Sequence, residues 1–190
     1  SPVVKHNAAD LCCDKIHIVY DDFNQNDATQ PYKRYKLTYF ARPLSDGIDD
    51  NGPINPRYGI YKSKISWQQP IGQETGAWVS DCSECYHNEL IRDHVEDMEF
   101  VALDNEGRVL SPSPSTTTEA TRNNLYKVRA VDIRLAFISE KPFFRFESRE
   151  GNERELSGFS RTIRSFSDRY LRDNVVVTVY TRNIVGQDIF

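Results

Sequence analysis

The chain has 190 residues, 38% of them hydrophobic, and a formal net charge of −4 at pH 7. This length fits one domain spanning residues 1–190, and the balanced charge gives no basic face, so nucleic acid is not an expected partner. No apolar run is long enough to cross a membrane, and the sequence contains no G-x-S-x-G, HExxH or phosphate-loop motif, so no enzyme class is indicated. The aromatic content, 10 Tyr and 10 Phe against one Met, favours strands over helices.

The first third of the chain predicts a tail followed by an antiparallel hairpin. Residues 1–10 have no periodicity and are expected to form the tail. Apolar side chains alternate in residues 15–20 and again in 35–40, which indicates two strands joined by a polar connection. Residues 58–61 and 64–67 predict one broken strand or two short strands.

An acidic loop at residues 45–53 follows the hairpin and is the segment most suggestive of a ligand. Its oxygen-bearing side chains lie close together in sequence, and two glycines allow a tight turn, as a calcium site requires. The candidate ligands are Asp46, Asp49, Asp50 and Asn51. The alternative is an ordinary turn, because Asp, Asn, Gly and Pro are the usual turn residues and the spacing departs from the EF-hand series. No cofactor is therefore certain from the sequence, and calcium is the one that this loop suggests.

Four cysteines, Cys12, Cys13, Cys82 and Cys85, are an even number, which favours disulfides and an oxidising compartment. Their pairing is left open among three connectivities. Zinc is the rival interpretation, because Cys82 and Cys85 have ligand spacing and His87 and His94 follow. The adjacent Cys12 and Cys13 suit a tetrahedral site poorly, because neighbouring side chains on a strand point to opposite faces.

The middle of the chain predicts a second hairpin and a surface loop. Residues 88–95 are expected to form a short helical turn or an irregular approach to a strand at 99–103. A tight turn at 104–107 then leads into residues 108–110. Residues 111–124 are rich in Ser, Thr and Pro, which predicts a surface loop.

Residues 127–137 alternate clearly and predict a strand with one wet face. Val131, Ile133, Leu135 and Phe137 would point inward, with Asp132 and Arg134 outward. Residues 140–170 are polar and rich in Arg. Apolar residues recur there every three or four positions, which indicates a short helix or a folded loop, and the alternating Arg and Glu predict a solvated face.

Residues 170–183 carry the strongest strand signal in the sequence. β-Branched and aromatic residues dominate, and neither Gly nor Pro interrupts them. We expect an interior strand next to residues 128–137, with a cover for Val175, Val177 and Val179 on at least one face.

Three of these stretches, taken in order, resemble the soluble head of PilW-type minor pilins of type IV pili. They also resemble, more distantly, pseudopilin J of type II secretion. Residues 95–100 match a V-x-x-[ML]-x-F strand that is followed by a turn, and residues 128–137 match the next strand. The ending matches at Leu171-Arg172, Thr178 and Arg182-Asn183, and the acidic loop is similar to an insertion in some of these pilins.

The resemblance implies a β-rich α+β head whose antiparallel sheet packs against an N-terminal hydrophobic helix. The chain begins at Ser1 without Met, so we expect a mature or trimmed form in which this helix is missing. The implied role is non-catalytic assembly with other minor pilins or pseudopilins in a priming or tip complex. The implied location is the bacterial cell envelope, with the helix in the inner membrane. The residues expected to meet the helix or a partner are Val131, Ile133, Leu135, Val175, Val177 and Val179.

Two other functions stay open from sequence. One is an extracellular adhesive β-module in which the acidic loop, Trp67 and Trp78 meet calcium or a glycan. The other is a secreted hydrolase, because scattered carboxylates are abundant although nothing selects a catalytic pair.

Overall fold

A computed structural model describes residues 2–5, 12–23, 32–44, 57–69, 75–147, 153–159 and 163–181. Within these ranges, strands predominate and the helical structure is one short helix, so the expected β-rich α+β class is confirmed. The elements are β1 Pro2–Lys5, β2 Lys15–Phe23, β3 Tyr32–Pro43, β4 Tyr58–Gln68, β5 Ala77–Val79, β6 Tyr86–Leu103, α1 Glu119–Leu125, β7 Ala130–Ile138, β8 Arg154–Leu156, β9 Arg164–Phe166 and β10 Arg172–Tyr180.

The main sheet is antiparallel, with the strand order β1-β2-β3-β4-β6-β7-β10, and β5 pairs with β4. The predicted hairpin is confirmed, because β2 and β3 pair directly, for example through Ile16 and Tyr39. The predicted pairing of the last two long strands is confirmed as well, with Val177 opposite Ile133. β8 and β9 form a separate two-stranded sheet.

The long strand β6 joins the two halves of the sheet. Its first half pairs with β4 as far as Val95, and its second half pairs with β7 from Val95 onward. Register shifts accompany the change of partner, and His94 has a positive φ of 54°. Beyond Val95, the edge of β6 that pairs with β4 is bonded by Asp14 instead. The Asp14 N–H donates to the Met98 carbonyl at 2.8 Å, and Asp14 Oδ2 accepts from the Phe100 N–H at 3.0 Å.

The core lies on one face of this curved sheet, where β2, β4, β6 and β7 contribute apolar side chains. Its buried residues are Ile16, Ile60, Val95, Met98, Phe100, Ala102, Leu110, Val128 and Val131. Ile133, Leu135 and Phe137 pack against this cluster but remain only partly buried. The inward face predicted for residues 131–137 is therefore correct, although that face is not fully covered by the described residues.

Four local predictions agree with the structure only in part. Part of the expected tail forms β1. Residues 88–95 belong to strand β6 and not to a helical turn, and their register shifts and the positive φ of Asn88 and His94 agree with the alternative of an irregular approach.

Residues 111–124 include the start of α1. Thr118 and Thr121 cap the N-terminus of this helix, because the side chain of each accepts from the backbone N–H of the other. In segment 140–170, residues 154–156 and 164–166 form the short β8–β9 pair, so the helix alternative is wrong for these residues. Phe159 and Ile163 of the expected apolar stripe are 41% and 57% exposed.

The position of β10 is also different from the expectation of an interior strand. Within the described part of the chain, β10 pairs with β7 and ends the path of the sheet. β-Branched residues favour strands whether or not both faces are covered, so the Val-rich composition did not distinguish an edge from an interior position.

Among the described residues, no helix combines the length and the apolar character needed to span a membrane.

Candidate interaction surface

One face of the β7–β10 pair is apolar and open. Residues directly opposite one another in an antiparallel pair share a face, and Val175 lies opposite Leu135 while Val177 lies opposite Ile133. We call this surface the apolar β7–β10 face, defined by Ile133, Leu135, Phe137, Val175, Val177 and Val179. The three valines are 43%, 49% and 47% exposed. This set includes most of the residues that the sequence predicted to meet a helix or partner.

The opposite face of the same strands carries a buried ion network. Arg134 on β7 is 4% exposed and donates from Nη2 to Asp97 Oδ2 at 2.9 Å and from Nε to Glu99 Oε2 at 2.7 Å. The sequence predicted a wet face for Arg134, and that prediction was wrong. The alternation placed Arg134 on the correct side, but residues 153–159 and 163–168 cover that side.

A second arginine extends the network to β10 and to the segment before it. Arg172 donates to Glu96 Oε2 at 2.6 Å and makes a bidentate pair with Asp168, both contacts at 2.7 Å. Its guanidinium also lies 3.7 Å from the centre of the Phe166 ring. These contacts hold β9 and the lead-in to β10 against β6. Glu147, Glu153 and Glu155 are exposed, as the Arg and Glu content of segment 140–170 predicted.

The loop after β8 closes tightly over the same network. The Phe159 N–H donates to Glu99 Oε2 at 2.9 Å. A Cβ added at Gly158 would lie 2.7 Å from Glu99 Oε2 and 3.0 Å from Arg134 Nη2. Glycine at this position therefore permits the close approach of the backbone to the buried ion pairs.

The network holds the start of β10 on one face, while Val176 on that face and the three valines on the other face are exposed. Arg134 Nη1 donates to Asn174 Oδ1 at 3.1 Å, and Thr178 Oγ1 donates to Asp132 Oδ1 at 2.6 Å. These side-chain bonds supplement the ladder between β7 and β10. An apolar strip on a strand held in this way is a pre-formed contact surface, because its partner need not order the strand on binding.

Burial within the network raises the pKa of Glu96 above its ordinary value of 4.5, although Arg172 and Arg164 oppose this change. A carboxyl whose pKa is higher in the folded state binds protons more strongly there. It therefore contributes stability that declines as the pH rises through the folded-state pKa.

We expect Glu96→Gln to alter the pH dependence of stability in a defined direction. The quantity to follow is the free energy of unfolding of the unmodified chain minus that of Glu96→Gln. This difference should decrease as the pH rises from about 4 into the neutral range. Urea unfolding at a series of pH values measures this difference. The exposed Glu106→Gln is the control, and a rising difference for Glu96→Gln would contradict the assignment.

The other sites predicted from the sequence are the acidic loop and the two pairs of cysteines. Asp46, Asp49, Asp50 and Asn51 lie outside the described residues, so calcium binding by the acidic loop stays a prediction. Cys82 is bonded to Cys85, and Cys12 is bonded to Cys13. The pairing of Cys82 with Cys85 supports the disulfide interpretation of this motif over the zinc alternative.

One group of residues in the described ranges brings metal-ligand types together. The Sγ atoms of Cys12 and Cys13 and a carboxylate oxygen of Asp97 lie within 4.8 Å of one another. Both sulfurs belong to the disulfide, and Asp97 accepts from Arg134 and from the Met98 N–H. These atoms are therefore already committed to bonds within the protein.

Sequence reasoning missed the ion network. One signal was present: Glu96, Asp97 and Glu99 interrupt the otherwise apolar residues 95–103 of β6, and acidic residues seldom lie in such a run unless they are paired. Their partners are 35, 37 and 76 positions away in the sequence, so no local pattern identifies them.

The solved structures that resemble this chain include a pilin. The fold is similar to that of a type IV-like pilin from Thermus thermophilus, with a TM-score of 0.46 and 11% sequence identity, over 97% of this chain and 84% of that one. No protein-family model and no curated protein matches the chain.

Proposed function

We propose that this chain is the non-catalytic head of a filament subunit of the type IV pilin class. In this proposal the apolar β7–β10 face packs against a hydrophobic helix. The observation that carries the proposal is the half-exposed row of Val175, Val177 and Val179 on a strand whose start is held on its other face by ion pairs. Exposed apolar surface of this kind on a soluble domain marks a contact surface.

The dimensions of the apolar face fit a helix. β10 has nine residues, which corresponds to a length of about 30 Å. A helix with its side chains is about 10 Å wide, so it covers two strands spaced about 4.8 Å apart. A helix of about 20 residues lying along β7 and β10 would match that length.

Burial of the three valines favours such an association. Complete burial of a valine side chain stabilises by roughly 1.5 kcal/mol, and half of that surface remains to be removed from water at each position. Ile133, Leu135 and Phe137 add partly exposed area beside them. An unoccupied strip of this kind on an edge strand would also promote non-specific association, which supports a dedicated partner.

The finer assignment within this proposal is a minor pilin similar to PilW, or a pseudopilin, in a priming or tip complex. It rests on the sequence resemblance. The Arg172 of the matching lead-in forms the buried pairs with Glu96 and Asp168, which gives that position a structural role. Arg182 and Asn183 lie outside the described residues. The proposed location is the bacterial cell envelope, and the proposed partners are other pilins of the same filament.

Two substitutions on neighbouring positions of β10 test the proposal. Val177→Asp places a charge on the apolar β7–β10 face. Val176→Asp places the same charge on the opposite face, where Val176 is 54% exposed and lies opposite Arg134. We expect Val177→Asp to abolish incorporation of the full-length gene product into filaments, measured by sedimentation and immunoblotting, and Val176→Asp to preserve it.

Both variants should fold, because each replaces an exposed edge-strand valine and costs about 1 kcal/mol in strand preference. Thermal unfolding of the two purified chains checks this point. Equal incorporation of both variants would refute a role for the apolar face. A coding sequence with a conventional cleaved signal peptide ahead of Ser1, in place of a hydrophobic helix, would refute the pilin class itself.

A further inference from the structure

A concave groove lies on the part of the sheet formed by β2, β3 and β4, away from the apolar β7–β10 face. Its volume is about 580 Å³, within the range of small-ligand sites. We call it the basic groove, defined by Lys15, His17, Lys36, Thr38, Arg42 and Asn88. His17 pairs with Thr38 across β2 and β3, and Thr38 pairs with Ser63 across β3 and β4, so their side chains share the face that forms the floor.

The accessible charge of the basic groove is positive. Lys15, Lys36 and Arg42 line it. The carboxylate among the lining residues belongs to Asp14, which is 2% exposed and accepts from the Phe100 N–H at 3.0 Å. Asp14 is therefore directed into the protein, while the three cations surround the open space. An anionic ligand would be attracted to this site.

Aromatic rings hold these cations in place. Lys15 Nζ lies 5.5 Å from the centre of the Phe40 ring, Arg42 lies 5.0 Å from the same ring, and Lys36 Nζ lies 4.6 Å from a Trp78 ring. The ring faces are thus occupied by the protein's own cations. A neutral sugar, which is usually held by stacking on such faces, would have to displace them.

The floor of the groove offers polar hydrogen-bonding groups. His17 Nδ1 and Thr38 Oγ1 are 2.8 Å apart, and Ser63 Oγ accepts from the Asn88 N–H at 3.0 Å. Asn88 has a positive φ of 51°, and its Oδ1 accepts from Arg42 Nη2 at 2.9 Å. Hydroxyl, amide and imidazole groups side by side suit a ligand with several hydroxyls, because each can act as partner to an O–H.

We infer that the basic groove binds an acidic saccharide, a sugar ring that carries a carboxylate in addition to its hydroxyls. The cations would hold the carboxylate, and Thr38, Ser63 and Asn88 would hydrogen-bond the hydroxyls. Charge-assisted bonds from Arg and Lys are the stronger of these contacts, so the negative charge of the sugar decides the selectivity. Nucleic acid is less suited, because the ring faces on which bases would stack are covered by cations.

Calorimetric titration of the 190-residue chain with digalacturonic acid tests this inference. Neutral digalactose of the same linkage is the control ligand. We expect digalacturonic acid to bind, with affinity that falls as salt is added, and digalactose to bind at least tenfold more weakly, on the order of one lost charge-assisted bond. Lys36→Gln and Arg42→Gln should each weaken the binding of digalacturonic acid by about tenfold or more.

Lys127→Gln is the matched control variant, because Lys127 is an exposed lysine after α1 and far in sequence from the groove strands. It should leave the affinity unchanged. The inference is overturned if digalacturonic acid does not bind at about 10 mM, if digalactose binds equally well, or if Lys127→Gln weakens binding as much as Lys36→Gln does. Tighter binding of a single-stranded oligonucleotide at the same residues would also overturn it. Val177→Asp should not affect binding, so this test is independent of the proposed filament role.

Discussion

Replacing Arg134 by Met should destabilise the chain by about 3–5 kcal/mol, because it leaves two buried carboxylates without their partner. Arg134 is 4% exposed and bonds Asp97 at 2.9 Å and Glu99 at 2.7 Å. Methionine fills a similar volume, so the loss reports mainly the unpaired charge. Urea unfolding at neutral pH measures the change, and the slope of free energy against urea should stay the same.

The chain provides a matched control in Arg108, which also bonds two carboxylates but at the surface. Arg108 contacts Asp104 at 2.9 Å and Glu106 at 2.8 Å, and its side chain is 66% exposed. Arg108→Met should cost no more than about 1 kcal/mol, because solvent screens exposed pairs. A similar loss of unfolding free energy in the two variants would contradict the conclusion that the Arg134 ion pairs matter to stability because they are buried.

A third variant separates the charge from the packing. Combining Arg134→Met with Asp97→Asn and Glu99→Gln removes Arg134 and the two carboxylate charges that it binds, at similar volume. The charges of Arg164 and of the Arg172–Glu96 pair stay in place. Because a buried ion cluster of this kind is costly to desolvate, removing these three charges should recover a large part of the loss caused by Arg134→Met alone. A triple variant less stable than the single variant would show that the cluster acts by geometry and hydrogen bonding instead.

Much of the sheet was predictable, because alternation of apolar residues is a local property. Residues 15–20, 35–40 and 131–137 each alternate, and each lies in a long strand of the main sheet. The turn at 104–107 was predictable from Gly107, whose φ of 75° suits glycine. The apolar face that includes Val177 was predicted on the same grounds, since a β-strand shows every second residue to one side.

The parts that were not predictable depend on contacts between distant segments. Arg134 was assigned correctly to the face opposite Leu135, but whether that face is wet depends on residues 153–159 and 163–168, whose polar sequence does not indicate burial. β6 changes partner from β4 to β7 at Val95, and its sequence there looks irregular because its bulges break the two-residue period. Edge or interior position is likewise a property of the whole sheet.

The ion network on one face of β10 affects how firmly the apolar residues on its other face are held. Arg172 and Asn174, on one face, bond Glu96 and Arg134, and these contacts reach back to β6 and β7. The alternate residues Val175 and Val177 point to the other face. A rigid strand presents its apolar residues in fixed positions, so a weak ion network would loosen the very surface on which the proposed packing depends.

The segment before β2 supports β6 at the point where the sheet changes partner, and Asp14→Ala should destabilise the chain by about 2–3 kcal/mol. The substitution removes the acceptor of the Phe100 N–H, and a buried donor without a partner carries its full desolvation cost. Asp14→Asn keeps an oxygen in the same place, so we expect it to cost about 1 kcal/mol at most.

Hydrogen exchange at the Phe100 amide distinguishes this local role from a general loss of stability. In Asp14→Ala that amide should exchange faster relative to the Ile133 amide on the neighbouring strand, because the hydrogen bond from Phe100 N to Asp14 Oδ2 is gone. In Asp14→Asn the ratio of the two rates should stay near that of the unmodified chain. An equal loss of stability in both variants, with an unchanged ratio, would assign the effect to the charge of Asp14 and not to its capping of β6.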